Sequence, residues 1–213
     1  GIDGVEARAL LERAPLDLRV NALKAARDTI DLPEPGETLP SAHGLRFPHG
    51  TQVEPWPAYR DGLVEIQDGG SQLACEAVDA RAGETVVDLC AGAGGKTLAL
   101  AAAMGNAGTL IAADADRSRL SRLAPRAGRA GALVAETILL DPGREAGALA
   151  AWHGKADAVL VDAPCSGTGT WRRNPEARWR LDADALDRLV ALQHHLLGVA
   201  EALVRPGGRL VYV

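Results

Sequence analysis

The chain has 213 residues, of which 47% are hydrophobic and 24% charged, and its formal net charge is −5 at pH 7. This composition is typical of a globular protein that forms one large domain, or one domain with a small appendage. No apolar run approaches the ~20 residues of a membrane helix, so no membrane segment is predicted. The acidic balance argues against non-specific wrapping of nucleic acid, although it allows a local basic surface.

The three cysteines, Cys75, Cys90 and Cys165, form no Cys-x-x-Cys pair. Their spacing predicts neither a disulfide framework nor a zinc site. His194 and His195 have no acid or cysteine at ligand spacing, so we expect no metal. Unpaired cysteines favour a reducing, cytoplasmic location, and nothing at the amino end resembles a signal peptide.

Residues 1–66 are predicted to form a small α+β appendage. Frequent prolines divide this part into short pieces, with a short helix at 6–13 and strands only over Leu16–Lys24 and Leu63–Ile66. The prolines are Pro15, Pro33, Pro35, Pro40, Pro48, Pro55 and Pro57.

Residues 67–213 are predicted to form an α/β domain that is truncated at its carboxyl-terminal end. Alternating strands and helices predict a Rossmann-like, doubly wound parallel sheet with right-handed crossovers. The predicted strands are Thr85–Leu89, Thr109–Ala113, Leu133–Leu139, Ala158–Val161 and Arg209–Val213. The predicted helices are Gln72–Ala80 with Ser71 as N-cap, Lys96–Met104, about Arg117 to Arg129, 143–152, and a long one after Asp182.

The first strand of this domain leads into a glycine-rich turn. Such a turn lets a ligand approach the backbone and points free helix amides at an anion. A P-loop would need glycine in place of Cys90, and the dinucleotide fingerprint would need glycine in place of Thr97. The remaining match resembles the first motif of methyltransferases that use S-adenosylmethionine. The turn is Cys90, Ala91, Gly92, Ala93, Gly94 and Gly95, followed by Lys96.

Two charged residues near this turn support a cofactor site. Asp114 ends the second strand, where an acid can accept hydrogen bonds from both ribose hydroxyls. Its alternative role is helix N-cap, which Asp116 could fill instead. Lys96 opposes the helix dipole in the first turn of its helix. Either a ligand carboxylate offsets this charge or the lysine reaches solvent.

The fourth strand leads into Asp162-Ala-Pro-Cys165-Ser-Gly-Thr-Gly169. In open α/β sheets, ligands bind beyond the carboxyl ends of strands, where the strand order reverses. We therefore expect Asp162 and Cys165 to lie beside the reacting methyl group. The alternative is an ordinary Pro/Gly loop with a buried cysteine.

Arginines form two clusters. Those between Arg117 and Arg129 are interpreted as a solvated helix face. Those of the second cluster lie in a loop with two tryptophans, Trp171 and Trp179, and are candidates for RNA binding. The candidates are Arg172, Arg173 and Arg178.

These stretches together resemble the Sun/Fmu family of RNA cytosine-C5 methyltransferases, which modify ribosomal or transfer RNA. Cys90–Thr97 is similar to the family motif Cys-Ala-Ala-Pro-Gly-Gly-Lys-Thr, with Gly92-Ala93 in place of Ala-Pro. Asp162–Gly169 matches the motif Asp-Ala-Pro-Cys-Ser-Gly-Thr-Gly throughout. The other matching stretches are Leu18–Lys24, Gln67–Gln72, Arg172–Trp179 and Pro206–Tyr212.

The resemblance implies an enzyme that forms 5-methylcytosine with S-adenosylmethionine, in ribosomal RNA in preference to transfer RNA. It implies that Cys90 to Lys96 contact the cofactor and that Asp114 binds its ribose. Asp141 is expected near the adenine, and Asp162 between the cofactor and the target base.

The family's chemistry requires two cysteines. A thiolate adds to C6 of cytosine, so that C5 can attack the methyl group. The resemblance implies that Cys165 assists product release, whereas the nucleophile belongs to a later Tyr-x-[Thr or similar]-Cys motif. That cysteine is expected just after Val213, so the fragment is expected to be inactive as written.

Two other functions are open on the sequence. The chain could be a non-catalytic module that binds cofactor or RNA, or a methyltransferase acting on transfer RNA or DNA cytosine. Amino-group methylation fits less well, because Cys165 replaces the aromatic residue of the [Asp/Asn]-Pro-Pro-aromatic motif.

Overall fold

The computed structural model describes residues 4–5 and 12–213. Of the helix predicted at 6–13, residues 6–11 lie outside the described part of the chain. Near the amino end, four strands form an antiparallel sheet in the order β2-β3-β1-β4. The strands are β1 (Leu16–Val20), β2 (Glu37–Thr38), β3 (Gly44–Phe47) and β4 (Val64–Ile66).

The first sheet corrects two sequence predictions. Strands β2 and β3 were not expected there, because each is too short to show a period of its own and forms only by pairing. Phe47 on β3 packs edge-on against Trp56, with ring centroids 5.3 Å apart. Strand β1 ends at Val20, earlier than predicted. Asn21 begins a turn and donates from Nδ2 to the carbonyls of Gly62 and Ala130.

The second sheet has five strands, all parallel, in the order β7-β6-β5-β8-β9. This confirms the doubly wound sheet. The strand order reverses between β5 and β8, which is where ligands bind in such folds. The strands are β5 (Thr85–Asp88), β6 (Thr109–Asp114), β7 (Glu136–Leu139), β8 (Ala156–Val161) and β9 (Val204–Tyr212).

Seven labelled helices accompany the sheets in the described part of the chain. They are α1 (Pro57–Arg60), α2 (Gly69–Val78), α3 (Gly95–Ala103), α4 (Arg117–Leu120), α5 (Leu123–Ala130), α6 (Glu145–Ala148) and α7 (Ala183–Leu203). Short 3₁₀ turns occupy Ala150–Trp152, Thr168–Thr170 and Pro175–Arg180.

Helices cover both faces of the parallel sheet, so both faces are buried. Successive side chains of a strand point to opposite faces and therefore enter different cores. Val86 on β5 faces the core formed with α2 to α5, where Leu98 and Leu123 pack. Its neighbour Val87 faces the core formed with α7, where Leu196 and Leu203 pack.

Several predicted element boundaries were wrong for local reasons. Asp68, not Ser71, caps α2, accepting from the Gly70 amide at 3.0 Å. The helix predicted from Arg117 to Arg129 is divided into α4 and α5. Pro125 has no amide hydrogen, so it fits only in the first turn of a new helix. The helix predicted at 143–152 is one α-helical turn followed by a 3₁₀ turn.

The last predicted strand begins earlier than expected, since β9 runs from Val204 to Tyr212 with an irregularity in its pairing to β8. Among the described residues, no helix combines the length and the apolar character needed to cross a membrane.

Candidate active site

Three aspartates meet at the carboxyl edge of the parallel sheet. Asp88 is the last residue of β5, Asp114 is the last of β6, and Asp162 directly follows β8. Strand β5 lies between the other two, so the glycine turn that follows it is placed between Asp114 and Asp162. The structure thus brings the predicted residues of three separate motifs to the point where the strand order reverses.

The glycine turn is shaped by backbone conformations that favour glycine. Gly92 and Gly94 have φ values of 54° and 88°. A Cβ atom at Gly94 would lie 2.2 Å from Leu123 Cδ1, and one at Gly92 would lie 2.4 Å from Arg119 Nη2. A Cβ at Gly95, in contrast, would meet no atom within 4 Å. The first turn of α3 therefore borders open space.

The amides at the start of α3 can bind an anion. Gly95, Lys96 and Thr97 are the first three residues of this helix, and amides at such positions have no acceptor within their own helix. Together with the helix dipole they favour a negatively charged group in the open space beside Gly95.

Asp114 is held in place by two backbone amides. Its Oδ2 accepts from the Gly92 amide and its Oδ1 from the Asp116 amide, each at 2.7 Å. The Asp114 carboxylate is not a helix cap, because Asp116 caps α4 by accepting from Ser118 and Arg119. Each Asp114 oxygen keeps a second lone pair, which is what two ribose hydroxyls would require.

Lys96 forms an ion pair with Asp162. The Nζ atom lies 2.5 Å from Asp162 Oδ2 and 3.4 Å from Ser71 Oγ, and the lysine side chain is only 12% exposed. From the sequence, the expected partner of this lysine is a ligand carboxylate or solvent. The structure instead gives it a protein carboxylate, which ties the start of α3 to the end of β8.

Asp88, at the same edge of the sheet, is not among the candidate residues taken from the sequence. It is completely buried, and its Oδ2 accepts from Thr97 Oγ1 at 2.7 Å. Within the described chain its Oδ1 has no hydrogen-bond donor. Burial raises the pKa of Asp88 to about 6, although Thr97 and Lys96 act in the opposite direction. An acid that ends an apolar strand just before a glycine turn was the available signal.

The three cysteines differ in access. Burial raises the pKa of Cys75 to about 12, and the nearby Asp88 adds to this. The pKa of Cys90 is also raised to about 12. Burial is the largest cause, and the negative charges of Asp88, Asp114 and Asp162 add to it. Both are therefore neutral thiols near pH 7. Cys165 is exposed. It lines a cavity of about 430 Å³ with Ser166, Leu181, Ala185, Arg188, Leu189 and Leu192.

Two of the candidate RNA-binding arginines form hydrogen bonds or ion pairs with other residues of this chain. Arg172 donates to the carbonyls of Glu12 and Arg13, each at 3.3 Å. Arg173 Nη2 lies 2.5 Å from Asp68 Oδ2. The Arg178 side chain lies outside the described part of the structure. Both described guanidinium groups are thus engaged by the protein in this structure.

Asp141 follows β7, at the same edge of the sheet as Asp114. Its side chain is 70% exposed, and its Oδ2 lies 3.7 Å from Arg144 Nε. Strand β7 is the neighbour of β6, so this carboxylate lies at the outer side of the site.

A family model described as 16S rRNA methyltransferase RsmB/F matches residues 75–213. The chain is 34% identical over 209 residues to the probable ribosomal RNA small subunit methyltransferase B of Synechocystis sp., covering 92% of this chain and 45% of that protein. It is 35% identical over 210 residues to ribosomal RNA small subunit methyltransferase B of Enterobacter sp., covering 94% of this chain and 47% of that protein. The chain thus spans about half the length of these relatives.

Solved structures share the same fold. The crystal structure of PH0851 superposes with a TM-score of 0.83 at 34% identity, over 96% of this chain and 47% of that one. A methyltransferase homolog protein from Pyrococcus horikoshii gives 0.77 at 29% identity, over 97% and 66%. NSun6 from Pyrococcus horikoshii with SFG gives 0.81 over 96% and 77%, but at 18% identity it shows the fold alone.

Proposed function

This chain belongs to the RsmB/F family of 16S rRNA methyltransferases, and on that premise we propose that it binds S-adenosylmethionine and forms 5-methylcytosine in ribosomal RNA. One observation carries the proposal. The glycine turn, Asp114 and Asp162 converge at one edge of the sheet, and Asp162 begins the loop that bears Cys165. A cytoplasmic location follows from such a substrate.

The residues at this edge fit the cofactor. The amides of α3 suit its carboxylate, since they border open space at Gly95. Asp114 suits the two ribose hydroxyls, because both of its oxygens are already oriented by backbone amides. Asp88 adds a buried acceptor oxygen without a protein donor, as a ligand with an ammonium group would require. We assign Cys90 to Lys96 to the same site, and Asp141 to the adenine.

In the proposed chemistry, the cofactor, Asp162 and Cys165 have separate roles. S-adenosylmethionine supplies a methyl group made electrophilic by its sulfonium. Asp162 lies between the glycine turn and the Cys165 loop, where its carboxyl group, once protonated, would donate a hydrogen bond to N3 of the cytosine and so stabilise the negative charge that develops there during addition of the nucleophile. Lys96 fixes the position of that carboxylate. Cys165 is accessible from the cavity and assists release of the product.

The second arginine cluster is assigned to RNA. Arg172 and Arg173 follow the Cys165 loop directly, so a bound RNA strand at the cavity would pass them. Arg173 would exchange Asp68 for a phosphate, which costs little because both groups are nearly half exposed. Arg178 is assigned with them from its place in the sequence. Residues 1–66 are proposed as a separate small domain beside the domain of 67–213.

Two assays test this function. Isothermal titration calorimetry should show S-adenosylmethionine binding to residues 1–213. The full-length gene product, incubated with radiolabelled S-adenosylmethionine and small-subunit ribosomal RNA, should incorporate label as 5-methylcytosine. Incorporation of label into transfer RNA or DNA alone would contradict the assignment of ribosomal RNA as the substrate. Absence of cofactor binding would contradict the whole proposal.

A further inference from the structure

A second, smaller cavity lies between the amino-terminal sheet and helices α2 and α3. It measures about 100 Å³ and is lined by Arg19 from β1, by the loop at His43, and by Gln72, Cys75 and Glu76 from α2, with alanines of α3 as its apolar wall. At ~30 Å³ per water molecule, this is room for about three waters or for one small anion.

Arg19 supplies a buried positive charge to this cavity. The residue is 4% exposed. Its Nε donates to Gln67 Oε1 at 2.6 Å, whereas its Nη2 has no hydrogen-bond partner among the described residues. Within the described chain, no carboxylate oxygen lies within 4.0 Å of this guanidinium. A buried cation without a counter-charge is costly, and burial lowers the pKa of Arg19 accordingly.

The nearest acid on the neighbouring strand is already used. Glu65 is the register partner of Arg19, but its two oxygens bind Arg126 at 2.9 Å and Arg129 at 2.6 Å. One carboxylate therefore faces three guanidinium groups. The region carries excess positive charge, and Arg19 is the member without an ion pair.

Among the residues that line the cavity, Glu76 is the one acid, and the other polar groups there are neutral or already hydrogen-bonded. The Gln72 amide is used by Ser41 and by the carbonyls of Leu18 and Gln67. Burial and the charge of Arg19 lower the pKa of His43, and the Cys75 thiol is neutral because burial raises its pKa. Glu76 lies at the exposed rim, where its Oε1 accepts from the Ala42 amide.

We propose that this cavity binds a small monovalent anion, of the size of chloride or formate, with Arg19 as its charged ligand. The Arg19 guanidinium, which lines the cavity, donates to the anion. The His43 ring, in its neutral form, is a further donor on the same wall, whereas the Cys75 thiol already donates to the Lys96 carbonyl. Bound there, the anion links β1 to α2 and α3 and so fixes the amino-terminal sheet against the parallel sheet. Neither the cofactor nor RNA takes part.

Bromide provides a direct test. Crystals grown in a large organic anion and soaked in bromide should show an anomalous peak within hydrogen-bond distance of the Arg19 guanidinium. Only water at that position would overturn the proposal, and this result does not depend on any variant. A formate soak then distinguishes a carboxylate from a halide occupant.

Thermal unfolding at constant ionic strength supplies the second measurement. Replacing gluconate by chloride should raise the melting temperature with the logarithm of chloride concentration once the site begins to fill. Arg19→Met should abolish this dependence. Arg46→Met is the matched control, since Arg46 lies in the same sheet but is already paired with Asp17, and it should keep the full chloride response. An equal chloride response in all three proteins would contradict the site.

Discussion

Lys96 Nζ lies 2.5 Å from Asp162 Oδ2, and this pair joins the first turn of α3 to the end of β8. The two residues belong to different sequence motifs, 66 positions apart. Their contact holds together the two halves of the proposed site, the glycine turn on one side and the Cys165 loop on the other.

Breaking this pair should destabilise the fold as well as the site. Lys96→Met and Asp162→Asn each leave a charged partner in a partly enclosed position, at a cost of about 1–2 kcal/mol for a charged hydrogen bond at a site that water still reaches. Urea denaturation of both variants and of the double variant measures their coupling. The double variant should be more stable than the sum of the single losses implies, and simple additivity would show that the contact carries no net energy.

Asp88 should make stability depend on pH. Its pKa is raised by burial from 3.8 to about 6, so the folded state binds its proton more tightly than the unfolded state. Proton binding at Asp88 adds ~3 kcal/mol to the free energy of unfolding below about pH 4, and this stabilisation is lost as the pH rises through 6. Asp88→Asn keeps a neutral side chain at all pH values.

Urea denaturation between pH 4 and 7 tests this dependence. Relative to Asp88→Asn, the native protein should become less stable as the pH rises. Parallel pH profiles for the two proteins would rule out the buried, proton-binding carboxyl.

The cysteines should react at different rates. Cys165 is exposed, whereas Cys75 and Cys90 have pKa values raised to about 12. Iodoacetamide should therefore modify Cys165 alone in the native protein and all three thiols in denaturant, as peptide mass spectrometry would show. Fast native labelling of Cys90 would contradict its burial at the site.

The assigned role of Cys165 in product release has a separate test. Residues 1–213 should form no covalent adduct with RNA that contains 5-fluorocytosine, because Cys165 is not the attacking thiol. Denaturing gel electrophoresis resolves such an adduct. An adduct that disappears in Cys165→Ser would show that Cys165 is itself the nucleophile.

Arg172 and Arg173 should contribute to RNA affinity through phosphate contacts. Replacing both by alanine should lower the affinity and reduce the slope of log K against log salt by about one per lost contact. Arg205→Ala is a suitable control, because Arg205 is paired with Asp157 near the opposite edge of the strands. Filter binding across a salt series measures both quantities, and an unchanged slope would remove these arginines from the RNA surface.

The site was predictable where its signals are local. A glycine turn and an aspartate at the end of a strand are visible in sequence, and the parallel sheet brings such positions to one edge. The Lys96–Asp162 pair was not predictable, because it depends on two strands coming together. Nor was the raised pKa of Asp88, which depends on burial.

The fold shows the same division. The alternation of elements predicted the sheet, but strands β2 and β3 exist only through pairing with β1 and with each other, and their few residues carry no period of their own. The interruption between α4 and α5 had a local signal in Pro125, which the arginine pattern around it obscured.

The affinity for S-adenosylmethionine of Asp114→Asn, compared with Asp116→Ala by calorimetry, tests the central claim most directly. Asp114→Asn should bind the cofactor about 10–100-fold more weakly, since hydrogen bonds to a charged group are worth about 1.5–3 kcal/mol. Asp116→Ala should lose about 1 kcal/mol of stability with its helix cap but retain the native affinity. Equal affinities in both variants and the native protein would contradict a cofactor site at this edge of the sheet.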